Sequence, residues 1–185
     1  MAIQLIDRIK QFQTAIFESG LARSVLALSA PRMMALPAPT SDDVSEDIIF
    51  ANFITEPEIV DVARDLFVSG FYNQAVAEAA KALDKYVQMR AEREDQSGTK
   101  LMDLVFSPTN PILSWSQRQS ITEKDEQGGY HRLFSGSMLG IRNPTTHEHD
   151  WIDSPESALE CVVLIQHLLR KAKSAYRTSA TCPAI

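Results

Sequence analysis

The stretch Gly140-Ile141-Arg142-Asn143-Pro144-Thr145-Thr146-His147 places a guanidinium, a carboxamide and an imidazole within six positions. A guanidinium is permanently charged and forked to match a phosphate, and an imidazole exchanges a proton near neutral pH. Together they suffice to cleave a phosphodiester without metal. The cation offsets charge building on phosphorus, while the imidazole moves a proton to or from a ribose hydroxyl or the leaving oxygen. The pattern itself is short. With 11 arginines and 4 histidines in the chain, an arginine followed by a histidine at such spacing arises roughly 0.7 times by chance, so the surrounding elements must supply the specificity.

Those elements read as helices. Residues 1–30 form an N-terminal helical arm, with Ile3, Ile6, Ile9, Phe12, Ile16 and Phe17 at helical spacing. Residues 31–56 carry Pro31, Pro37, Pro39 and the acidic run Ser41 to Asp47, which reads as a Pro-rich acidic linker with a brief apolar patch at Ile48 to Ile54. From Pro57 a stripe of Ile59, Val62, Ala63, Leu66 and Phe67 runs to Gly70. A second helix spans about Tyr72 to Glu92, and its alanines permit close approach of a neighbouring helix. A short helix covers Thr99 to Ser107, and a longer one runs from about Glu123 to Ile141. The last opens with Ser154 as N-cap and Pro155 behind it, carries Ala158, Val162, Ile165, Leu169, Ala172 and Tyr176 as its stripe, and ends among Lys171, Lys173 and Arg177. No segment alternates as a strand. On this reading Arg142 ends the longer helix, Pro144 forbids its continuation, and His147 lies in the connection towards Ser154. Residues 57–178 make the principal helical domain and 179–185 a disordered tail.

Composition narrows the function classes. At 185 residues and 44% hydrophobic content the chain suits one well-cored domain plus an appendage. A formal net charge of −6 argues against a globally basic surface, so a nucleic-acid partner would be held by a local cleft. Two cysteines, Cys161 and Cys182, provide neither a disulfide framework nor zinc-ligand spacing. Asp7, Arg8 and Lys10 interrupt the N-terminal apolar pattern, and no run approaches the ~20 apolar residues of a membrane span. A soluble cytoplasmic protein with no membrane partner is expected. There is neither a phosphate-cradling glycine loop nor a paired-carboxylate metal site, so no cofactor and no metal are expected.

Several spaced blocks carry a resemblance. Phe67, Gly70, Phe71, Tyr72, Gln74, Ala75, Val76, Glu78, Ala79 and Lys81 come first, then Gly98, Leu101, Met102, Phe106 and Ser107. Gly128, Leu133, Phe134 and Gly136 follow, and Arg142-Asn143-Pro144 with His147 closes the series. In this order they resemble the hypothetical Ymh family of the HEPN superfamily (higher eukaryotes and prokaryotes nucleotide-binding), over roughly Pro57 to Tyr176. The resemblance implies an all-α fold: an antiparallel four-helix HEPN-like bundle with short additional helices, forming a two-fold homodimer. It implies further a metal-independent endoribonuclease in which Arg142 stabilises the scissile phosphate, Asn143 orients it and His147 acts as general base or acid. Products would carry 2′,3′-cyclic phosphate ends, and by analogy the protein would be a toxin or antiphage effector, with an antitoxin or defence-system protein as possible partner.

Other residues compete for roles. His149 also falls within the permitted spacing of Arg142, but His147 follows the family's spacing directly. Glu78 is either a carboxylate partner for Arg142 or a solvated surface residue. His131 and His167 read as satisfied or partly exposed helix histidines, and Trp115 as packing the bundle's end. Ser135 and Ser137 lack the glycine-flanked elbow and acidic third member of a nucleophile site. The alternative to an RNA-cleaving homodimer is a catalytically silent dimerisation or interaction module that binds a partner protein or nucleic acid.

Overall fold

The computed structural model describes residues 45–148 and 151–178. The N-terminal arm at 1–30, the first part of the linker, the tail at 179–185 and His149 lie outside the described residues. Those that are described belong to one compact unit.

Seven α-helices succeed one another here: α1 (Glu46–Phe53), α2 (Pro57–Val68), α3 (Tyr72–Ala91), α4 (Gly98–Val105), α5 (Ile121–Ser137), α6 (Asn143–His147) and α7 (Pro155–Ser174). A π turn, Met138–Arg142, joins α5 to α6. The only strands among the described residues are β1 (Leu113–Ser114) and β2 (Tyr176–Arg177), paired antiparallel with Leu113 opposite Arg177. The all-α expectation is met at that level, with one two-residue ladder that has no room to show an alternating pattern.

Local signals explain most helix ends. Ser120 accepts from the Glu123 N–H while the Glu123 carboxylate accepts from the Ser120 N–H, so the pair satisfies two otherwise unpaired donors at the start of α5. Ser154 caps α7 through the Ser157 N–H at 3.2 Å, with Pro155 in the first turn. Pro57 opens α2. Between α2 and α3, Gly70 adopts φ +78°, which a Cβ would oppose, and so permits a tight reversal.

Packing builds outward from α3. Its Ala75, Val76, Ala79, Ala80, Leu83 and Val87 are buried, and the short side chains let α2 and α7 lie along it. Successive long helices reverse direction. α5 runs against α7, since Glu126 meets Lys171 and Tyr130 meets His167. α3 and α7 run the same way, with Arg90 donating to the Ala175 carbonyl at their shared end. Trp115 stacks on Phe106 at 5.3 Å and donates its Nε1–H to the Lys171 carbonyl, so it closes one end of the core. His131 hydrogen-bonds Asp103 and His167 hydrogen-bonds Tyr130, as satisfied helix histidines do.

Three expectations are corrected. First, part of the stretch read as linker is helix α1, capped by Ser45, and Phe50 is fully buried against Phe67 at 5.1 Å. The buried Gln166 of α7 fastens this segment, accepting from the Thr55 and Glu56 N–H groups at 2.7 and 3.0 Å and donating to the Phe53 carbonyl at 2.8 Å. Second, α7 stops at Ser174, so Tyr176 and Arg177 leave the helical stripe and form β2.

Third, Pro144 does not end the helical path. A proline lacks the N–H for an i−4 bond, and its ring crowds the carbonyl four residues back. Widening the preceding turn relieves that crowding: the Asn143 N–H bonds back five residues to the Met138 carbonyl. Pro144 then occupies the first turn of α6, where a missing N–H costs nothing, and the helix continues to His147 before Glu148 turns extended.

Candidate functional site

Arg142 closes the π turn, which packs against α3 and the start of α4. Its Nη1 donates to Asn143 Oδ1 at 3.2 Å, and its Nε is buried without a partner among the described residues. A Cβ on Gly98 would stand 3.9 Å from that Nη1. Gly98 has φ +62°, a conformation glycine adopts freely, so the opening of α4 lies against the guanidinium with its backbone bare.

Below this contact sits Asp84 of α3, only 6% exposed. Its Oδ1 accepts from the Gly98 N–H at 2.8 Å. Burial pushes the Asp84 carboxyl above its ordinary value of 3.8, against the Gly98 hydrogen bond and the Arg142 charge, which both pull it down. Arg142 therefore has a carboxylate neighbour, and it is Asp84. Glu78 binds Lys81 at 2.6 Å.

Widening the turn leaves carbonyls short of donors, and two threonines fill them. The Thr145 hydroxyl donates to the carbonyls of Ile141 and Arg142, and the Thr146 hydroxyl to the Arg142 carbonyl at 2.7 Å. From α3, buried Asn73 sends one amide to two further carbonyls, Thr145 at 2.9 Å and Glu148 at 2.8 Å. Both contacts fix the Nδ2 assignment and leave Asn73 Oδ1 buried without a donor. α6 is thus held at its carboxyl end by a residue on the opposite helix. Asn73, Gln74, Glu78, Lys81, Thr146 and Glu148 border a cavity of about 230 Å³ beside it.

Of the sequence candidates, Arg142 and Asn143 come into direct contact. Asn143 and His147 stand four residues apart on α6 and so share a face. His147 is exposed and its side chain makes no hydrogen bond among the described residues. Ser137 donates its hydroxyl to the Phe134 carbonyl of its own helix. Asn73 and Asp84 were not singled out from the sequence, although a signal was there. Asn73, Ala77, Ala80, Asp84, Val87 and Ala91 recur at steps of four and three, so two polar residues sit in a buried stripe. No group of three His, Cys, Asp or Glu among the described residues could hold a metal ion, and no described helix is long and apolar enough to cross a membrane.

Residues 54–172 match the pattern of Hypoth_Ymh, a family described as a protein of unknown function. The chain belongs to that family. The Ymh match takes in α2 through most of α7, and with them Asn73, Asp84, Gly98, Arg142, Asn143 and His147. No curated protein and no solved structure matches this Ymh chain.

Proposed function

We propose that this Ymh protein is a metal-independent endoribonuclease of the HEPN type, with its long helices forming the four-helix bundle of that superfamily. The observation that carries the reading is the Arg142 guanidinium, held by Asn143 Oδ1 with its Nε unpartnered, on a turn that leads directly into the helix bearing His147. In the proposed step a ribose 2′-hydroxyl attacks the adjacent phosphorus and gives up its proton to an imidazole. The bond to the 5′ oxygen breaks, that oxygen takes a proton, and the product ends in a 2′,3′-cyclic phosphate. Arg142 stabilises the added negative charge and Asn143 orients the phosphate. Two copies would pair so that both motifs line one cleft. Leu133 and Leu139, exposed at 47% and 63% on the helical run leading to Arg142, supply apolar surface for that pairing. The cellular role that accompanies this reading is a toxin or antiphage effector in the cytoplasm, restrained by a partner protein.

The second reading is a catalytically silent dimerisation or interaction module, and one observation favours it. Among the described residues nothing hydrogen-bonds His147 to fix its tautomer, as an orienting group does in most proton-transfer sites. Incubating RNA with purified protein in EDTA, beside His147→Ala and Arg142→Ala, separates the two. Cyclic-phosphate ends from the parent protein alone support the nuclease; intact RNA in all three, with the dimer preserved, leaves the silent module.

A further inference from the structure

Past the carboxyl end of α3, three arginines surround an open cavity of about 710 Å³: Arg93 after α3, Arg118 in the loop before α5, and Arg177 in β2. Asn110, Ser116 and Tyr176 complete the part of the wall that matters here. About 10 Å of helix axis separates Asp84, beneath Arg142, from Ala91 near this cavity, and none of Asp84, Gly98, Arg142, Asn143 and His147 lines it, so the cavity is a separate site.

The cations are not equally occupied. Arg177 is paired with Glu92. Arg118 donates its Nη1 to the carbonyls of Pro108 and Thr109, which neutralise no charge, and its Nε is buried with no partner among the described residues. Arg93 has no ion pair among them. Two of the three cations therefore have no acidic partner among the described residues, in a chain whose formal net charge is −6.

Arg118 also sits at φ +55°, a left-handed conformation that a long side chain seldom adopts. Its N–H bonds to Ser116 Oγ at 3.2 Å, which holds the strained loop in place. Strain of this kind persists where the surroundings over-determine it, and it aims a forked donor at a fixed point. The volume lies within the range of small-molecule sites.

We propose that this cavity binds a small phosphorylated metabolite carrying at least two negative charges, held by Arg93 and Arg118. The phosphate oxygens take Arg118 Nη2, which makes no hydrogen bond among the described residues, and the Arg93 guanidinium closes on them from just past α3. Asn110 and Tyr176 face the remainder of the ligand.

Calorimetric titration of the full chain with inorganic pyrophosphate and with inorganic phosphate tests this. Pyrophosphate binds more tightly than phosphate, and Arg93→Gln and Arg118→Gln each weaken it about tenfold, the loss of one charge-assisted hydrogen bond. Arg93→Gln removes no contact that supports the fold, so it stands even if Arg118→Gln perturbs the loop; thermal melts of both variants check this. Arg132→Gln, on the exposed side of α5, leaves binding unchanged. Absence of pyrophosphate binding at millimolar concentration overturns the proposal. So does affinity untouched by Arg93→Gln, or capture here of single-stranded RNA that pyrophosphate fails to displace. None of these outcomes bears on RNA cleavage at Arg142.

Discussion

The backbone N–H of Gly98 donates to the carboxylate of Asp84 at 2.8 Å, so the first residue of α4 is tied to the middle of α3 directly beneath Arg142. This bond places a buried acid next to the candidate phosphate-binding cation and gives the site its own pH dependence.

The Asp84 carboxyl is raised from 3.8 mainly by burial. The folded state therefore binds its proton more tightly than the unfolded state does. Its contribution is most favourable below 3.8 and declines as pH rises from there through the folded value. Asp84→Asn keeps an oxygen for the Gly98 N–H and removes the buried charge. Thermal melts across a pH series should show the variant gaining on the parent protein as pH rises through that window, and a constant difference would contradict the assignment. Asp84→Ala, which orphans the Gly98 N–H, should be about 1–3 kcal/mol less stable than Asp84→Asn at every pH.

Asn73 acts as a clamp on the helix that carries His147. Asn73→Ala leaves the buried Thr145 carbonyl and the part-buried Glu148 carbonyl unpaired and should cost about 1–3 kcal/mol. Amide exchange over residues 145–148 should quicken by more than the global loss accounts for. Asn73→Asp should be worse than alanine, because a carboxylate would face the Thr145 and Glu148 carbonyls with no hydrogen to give.

Phe50 tests whether α1 belongs to the folded unit. Replacing this fully buried ring with alanine removes its packing on Phe67 and should cost about 3–5 kcal/mol in urea unfolding. If residues 45–54 were a tether, the loss would be a few tenths.

For the chemistry, His147→Ala should lower RNA cleavage by about 10²–10⁴-fold while shifting stability by less than about 0.5 kcal/mol, since the side chain is exposed. Arg142→Lys should also cut the rate, because a lysine keeps the charge and loses the fork that meets Asn143 and a phosphate together. Rate and melting temperature measured on the same preparations separate loss of chemistry from loss of fold.

The parts of this structure that were legible beforehand are those written locally. Pro57, Gly70 and Ser154–Pro155 each specify a helix end through neighbours a few residues away, and the helical character and several boundaries follow; the Ser120–Glu123 capping pair was passed over, and that helix begins at Ile121. Helix α1 was hidden because prolines and acids dominate its neighbourhood, while its support comes from Phe50 and from Gln166 far along the chain. The motif itself was visible as Arg142, Asn143 and His147. Its surroundings were not: Asp84 and Asn73 reach it only through the way α3 folds back beneath the π turn, and Glu78 lies nearby on the same helix but is engaged by Lys81. Polar residues inside an apolar stripe were the available clue, and a stripe read for its hydrophobes alone passes over them.

The π turn also makes the motif a matter of rotational phase. Each α-helical residue advances about 100° around the axis, and a π turn accommodates one more residue than an α turn does. The five residues Met138–Arg142 therefore turn the chain about as far as four α-helical residues would, and a straight α-helix through the same five would swing Arg142, Asn143 and His147 about a quarter-turn away from Asp84 and Asn73. A relative with an identical motif and the same number of residues before it, but no π turn, would present the same side chains to a different neighbour.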